Sequence, residues 1–95
     1  MTTHSTPTRG FLVRRGSGEI VELPSYLVGR DSVGPEMREK GPGEPVRYFS
    51  ARDLYDRHLL PEENVYVYVN TQAQADADAL LKSVRPAIRK RLGLA

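Results

Sequence analysis

The chain has no cysteine and no tryptophan. Without cysteine there is no disulfide, no thiolate metal ligand and no cysteine nucleophile. Histidine is scarce, with His4 and His58 alone. No stretch approaches the ~20 apolar residues of a membrane span. The first nine residues, Met1 to Arg9, lack the apolar core of a secretory signal. These absences lead us to expect a cytoplasmic protein with no membrane partner. Charge of one sign is also lacking: 14 Lys/Arg face 12 Asp/Glu, a net +2.

What remains is ordinary for a globular domain. Hydrophobic residues make up 39% of the 95 positions and charged residues 27%, too apolar for full disorder. A chain this short supports one domain and buries roughly 60–65% of its unfolded surface. No internal repeat or low-complexity tract appears, and the residues point to no particular family.

The charge is uneven. Residues 10–70 hold eight Lys/Arg and ten Asp/Glu, a sum of −2; residues 71–95 hold five and two, a sum of +3. The pI of 9.2 therefore reflects a basic C-terminal end on a slightly acidic body, a local patch rather than a strongly cationic field. All the cations except Lys40, Lys82 and Lys90 are arginine, which suits bidentate contacts to carboxylate or phosphate.

Residues 1–9 are polar and read as a mobile tail, leaving 10–95 as the domain. Phe11–Arg15 and Glu19–Leu23 flank Gly16-Ser17-Gly18, a hairpin signal. A three-residue loop would set Val13 opposite Val21 and Phe11 opposite Leu23, with Leu12 and Ile20 on the other face. Tyr26-Leu27-Val28 reads as a short strand. Residues 29–45 are rich in Gly and Pro and read as a long mobile loop. Val46–Phe49 reads as a strand. Ser50 then resembles a helix N-cap, with Ala51, Leu54, Tyr55, His58 and Leu59 on one helical face and Pro61 as the stop.

Val65–Val69 is the clearest strand, alternating three valines with two tyrosines. Thr71-x-x-Gln74 is a capping-box signature for a last helix. Its apolar stripe is Ala73, Ala77, Leu80, Leu81, Val84, Ala87 and Ile88; Pro86 should kink or divide it, and Gly93 should end it. The expectation is an α+β fold: a mostly antiparallel sheet of three to five short strands with two helices packed on one face.

Two constellations carry a functional expectation. If the valines of 65–69 face the helices, Leu12, Ile20, Tyr66 and Tyr68 share an outer, half-apolar face. That face suits docking onto another protein or onto a second copy of this chain. It makes the expected function a small non-catalytic protein-binding module, such as an adaptor, inhibitor or regulatory subunit. The alternative is nucleic-acid binding through Lys82, Arg85, Arg89, Lys90 and Arg91, although charges so placed also complement a helix macrodipole. Catalysis is disfavoured. No nucleophile, base and orienting group can be placed together, no G-x-S-x-G elbow occurs, and Gly16-Ser17-Gly18 is too short to cradle a phosphate. Asp76-x-Asp78 lies on different helical faces, so no metal site and no cofactor is expected.

Overall fold

The computed structural model of the chain describes residues 6–34, 36–39, 42–43, 47–50, 53–70 and 74–94. Along the chain these form β1 (Gly10–Val13), β2 (Ile20–Glu22), a 3-10 turn (Ser25–Leu27), β3 (Ser32–Val33), β4 (Glu36–Glu39), β5 (Arg47–Ser50), β6 (Tyr55–Leu60), β7 (Val65–Val69) and α1 (Gln74–Arg91). Five strands form one sheet in the order β2-β1-β7-β6-β3, and β4 and β5 form a separate two-stranded ribbon. The fold is α+β. The sheet is mixed, because β1 lies parallel to β7 while its other ladders are antiparallel.

Strand alternation splits the sheet into two faces, and each is covered. On the first, Phe11, Val13, Leu60, Val65, Val67 and Val69 pack with Ala77, Val84 and Ile88 of α1. On the second, Leu12, Leu23, Leu27, Val33, Tyr55 and Tyr68 form another buried cluster. The helix expected from Thr71 onward is, over its described residues, one uninterrupted element through Pro86, Gln74–Arg91. Its stripe is buried at Ala77, Val84 and Ile88 and half-buried at Leu80 and Leu81, while Ala87 is exposed. Ala73 and the Thr71 cap lie outside the described residues.

Gly93 ends α1 as expected. It sits at φ +77°, its N–H donates to the Lys90 carbonyl at 3.1 Å, and the Leu94 N–H donates to the Arg89 carbonyl at 2.8 Å. These are the paired bonds of a Schellman stop, which require a left-handed residue. Gly93→Ala should lower stability by about 1 kcal/mol, read as a lower urea midpoint at unchanged slope.

Three expectations are corrected. First, residues 55–60 are strand, so one long helix is present among the described residues rather than two; Ala51 lies outside them. The register from Asp56↔Val69 to Leu60↔Val65 commits this segment to the sheet. Pro61 opens a turn instead of stopping a helix. Asn64, at φ 54°, closes it by donating to the Leu60 carbonyl at 2.8 Å. Pairing with the strongest strand in the chain overrides a local helical spacing.

Second, the first hairpin is shifted by one residue. Phe11 pairs with Glu22, Leu12 with Val21 and Val13 with Ile20. The Arg14 N–H donates to the Glu19 carbonyl at 2.8 Å, so the loop has four residues, with Gly16 and Gly18 both at positive φ. Third, 26–28 is not a strand: Ser25–Leu27 is a 3-10 turn between Pro24 and Gly29. Within 29–45 the described residues include β3 and β4, and residues 35, 40–41 and 44–45 lie outside the described residues. Of the tail, residues 1–5 also lie outside. Arg9 is held: its carbonyl accepts from the Tyr66 N–H at 3.2 Å, and its guanidinium grips Glu22 at 2.7 and 2.9 Å.

Candidate functional site

The four residues expected to share an open face do not share one. The one-residue shift sends Ile20 to the helix side, where it packs against the first cluster. Leu12 and Tyr68 do lie on the second face, but at 1% and 0% exposure. The chain from Pro24 to Val33 covers them, contributing Leu27 and Val33 to the same cluster.

The Tyr68 phenol fastens that cover. Its oxygen accepts from the Gly29 N–H at 3.1 Å and its O–H donates to the Arg30 carbonyl at 2.6 Å. Burial pushes its pKa up, with the Gly29 N–H opposing, so the hydroxyl stays a donor at neutral pH. Gly29 has φ +97°, and there the chain turns off the second face toward β3. Arg57 adds a second tie, donating to the Gly29 carbonyl at 2.5 Å and pairing with Asp31 at 3.2 Å. At the other end of β6, the buried Tyr55 hydroxyl accepts from the Arg15 N–H at 3.0 Å.

Of the expected face, Tyr66 remains half-exposed. The Arg57 guanidinium lies over its ring, 4.8 Å from the centroid. Leu59 stands directly across the ladder from Tyr66 and is 49% exposed. The Arg57 N–H donates to the Asp31 carbonyl at 3.1 Å, so odd-numbered residues of β6 point their backbone groups away from β7. β3 matches β6 only at Tyr55 and Asp56. The Leu59 N–H and C=O therefore face outward, with no strand across from them among the described residues. Tyr66, Arg57 and Leu59 thus form a small amphipathic platform beside an open strand end.

The basic helix is less free than its sequence suggests. Arg85 and Arg89 converge on Glu63, whose side chain is 1% exposed: Arg85 Nε donates at 2.9 Å and Arg89 Nη1 at 2.6 Å. Arg85 also pairs with Glu62. Burial pushes the Glu63 carboxyl up, but the bonds from Arg89 and Arg85 outweigh it and hold the pKa below its ordinary value. The Glu22 carboxyl is likewise held low, chiefly by its hydrogen bonds from Arg9, with a smaller contribution from the charge of Arg91. Lys82 and Lys90 are exposed. Lys82, Arg85, Pro86 and Arg89 line a shallow groove of about 350 Å³ on the outer side of α1.

His58 sits on β6, on the helix-facing side opposite Val67, with Tyr55 on the other face of the strand. Among the described residues, no group of three or more His, Asp or Glu side chains is placed to hold a metal ion, and no helix is long and apolar enough to cross a membrane.

Arg57, Leu59 and Glu63 were missed by sequence reasoning. The first two were missed because 51–59 carries a helical spacing. Glu63 was missed because Glu62-Glu63 after a proline looks like a solvated pair. The usable signal was the four-residue gap 61–64 between two strand-capable runs, which makes a hairpin and brings Glu63 to the end of the sheet under α1. No family model, no curated protein and no solved structure matches this chain.

Proposed function

We propose that this chain is a small non-catalytic binding module that docks onto another protein through the platform at the outer end of β6. The observation that carries the reading is the Leu59–Tyr66 cross-strand pair, half-exposed, roofed on one side by Arg57 and bordered by the outward-facing backbone of Leu59, which meets no strand among the described residues. Tyrosine and arginine dominate binding hot spots because they combine large apolar area with a polar end. Free edge groups favour a partner that arrives extended and adds itself as a strand, with an apolar side chain resting on Leu59 and Tyr66. An adaptor, an inhibitor or a regulatory subunit would each use such a surface.

Nucleic-acid binding is the weaker reading. Two of the five cations it needs, Arg85 and Arg89, are already paired with Glu62 and Glu63, whose carboxylates offset their charge toward a phosphate.

The test is co-purification from the native cell extract with wild-type chain, Leu59→Asp and Tyr66→Ser, alongside Lys82→Glu/Lys90→Glu. The expected result is a stoichiometric protein partner that both platform variants lose, by at least tenfold in recovered amount, and that the lysine variant keeps. Truncating a hot-spot side chain costs about 2 kcal/mol or more in binding, roughly 30-fold. Thermal midpoints of the platform variants should stay within about 5 °C of wild type. A partner retained by both platform variants, or nucleic acid recovered with wild type and lost with the lysine variant, would overturn the reading.

A further inference from the structure

The opposite edge of the sheet suggests a different contact. In the β1–β2 ladder, Glu19, Val21 and Leu23 turn their backbone groups toward β1: the Arg14 N–H reaches the Glu19 carbonyl, and the Leu23 N–H reaches the Gly10 carbonyl at 2.8 Å. By alternation the N–H and C=O groups of Ile20 and Glu22 point outward. They meet no strand among the described residues, because β2 ends the sheet order. We infer that β2 is a self-association edge, at which a second copy of this chain pairs antiparallel about a two-fold axis through Val21.

Geometry makes this edge self-complementary. An axis through Val21 sets Ile20 of one copy opposite Glu22 of the other. Both are outward-pointing residues, so each of the two symmetric pairs exchanges both of its backbone bonds. The two Val21 side chains then meet in the close, non-hydrogen-bonded position on the second face. Val21 is half-exposed and packs against neither buried cluster, so within one copy its apolar surface has no use in the core.

Charge does not oppose the pairing. Glu22 is opposite Ile20 rather than another carboxylate, and Arg9 already neutralises it within its own copy. Glu19 falls opposite Leu23. The lysines, prolines and inward charges with which edges are commonly blocked are absent from 20–22. Pro24 and the Gly16–Gly18 turn confine the contact to three residues. The dimer is therefore a weak one, rising with concentration between roughly 10 µM and 1 mM.

Sedimentation equilibrium over that range tests it, together with amide hydrogen exchange and the variant Val21→Lys. That variant sets two like charges across the axis and leaves the β1–β2 ladder intact. The wild type is expected to approach twice the 10.6 kDa of one chain, with the Ile20 and Glu22 amides slowing as concentration rises. Val21→Lys should weaken association at least tenfold while keeping its thermal midpoint. A wild type that stays monomeric throughout overturns the inference, as does a dimer that Val21→Lys does not weaken or one whose Ile20 and Glu22 amides exchange freely. Docking at Leu59 and Tyr66 lies across β1, β7 and β6 from this edge, so each proposal can fail without the other.

Discussion

Tyr68→Ser should cost about 3–5 kcal/mol of stability, whereas Tyr66→Ser, two residues away on the same face of β7, should cost about 1 kcal/mol. The difference follows from what each ring touches. Tyr68 is fully buried in the second cluster, so its truncation removes an aromatic's worth of packing and leaves a cavity that the surrounding strands cannot close. It also strands the Gly29 N–H and the Arg30 carbonyl, both of which bond to its hydroxyl. Tyr66 is half-exposed, packs only against the margin of that cluster and loses one cation–π contact with Arg57. A domain of 95 residues holds about 5–10 kcal/mol in total, so Tyr68→Ser should remove roughly half of the fold's stability. Tyr68→Phe isolates the hydroxyl and should cost about 1–2 kcal/mol. Urea midpoints for the three variants measure the series, and equal midpoints for Tyr66→Ser and Tyr68→Ser would contradict a sealed second face.

Legibility of the fold followed how local its causes are. The 65–69 strand and the C-terminal helix were readable because nearly every residue votes the same way, and Gly93 marks a stop that only a left-handed residue makes. The hairpin was readable as a hairpin but not in register. Gly16 and Gly18 both take positive φ, and a loop of three or four residues accommodates them; the choice moves Ile20 and Val21 to opposite faces. The 55–60 strand was not readable. Leu54, Tyr55, His58 and Leu59 fall at helical spacing, while the strand's own alternation is blurred by Asp56 and His58 on the side that faces α1. Its state is decided by a partner, β7, rather than by itself.

The same distinction explains the site. That Tyr66 and Tyr68 share a face is a property of any strand. That only one of them reaches solvent depends on where residues 24–33 go. Their path is settled by a left-handed turn at Gly29 and by bonds to side chains almost 40 positions away, which no window along the chain displays. The surviving platform needed two tertiary facts, the pairing of Leu59 with Tyr66 and the early end of β3. It was therefore invisible from composition or spacing.

Glu63→Gln should destabilise the fold by about 2 kcal/mol at pH 7 and remove a step in its acid sensitivity. The carboxylate, 1% exposed, accepts from both Arg85 and Arg89 and so joins the 61–64 turn to the C-terminal half of α1. The isosteric amide keeps the volume and can set its oxygen where Oε2 now accepts from both arginines, but it carries no charge, so two charge-assisted bonds become ordinary ones and two guanidinium groups lose their buried counter-charge. Because the folded carboxyl titrates below its ordinary value, the unfolded chain binds the proton more readily than the folded one. Its contribution is thus fully present above the unfolded value of about 4.3, declines as pH falls, and is gone once pH has passed below the folded value. Wild type should lose stability between about pH 5 and pH 3 more steeply than Glu63→Gln, and the gap between their urea midpoints should shrink across that window. Glu62→Gln is the control. Its carboxylate is 73% exposed and its pair with Arg85 is solvent-screened, so it should leave both the midpoint and its pH profile nearly unchanged. A constant gap between wild type and Glu63→Gln from pH 7 to pH 3 would mean that the turn holds the helix by packing alone.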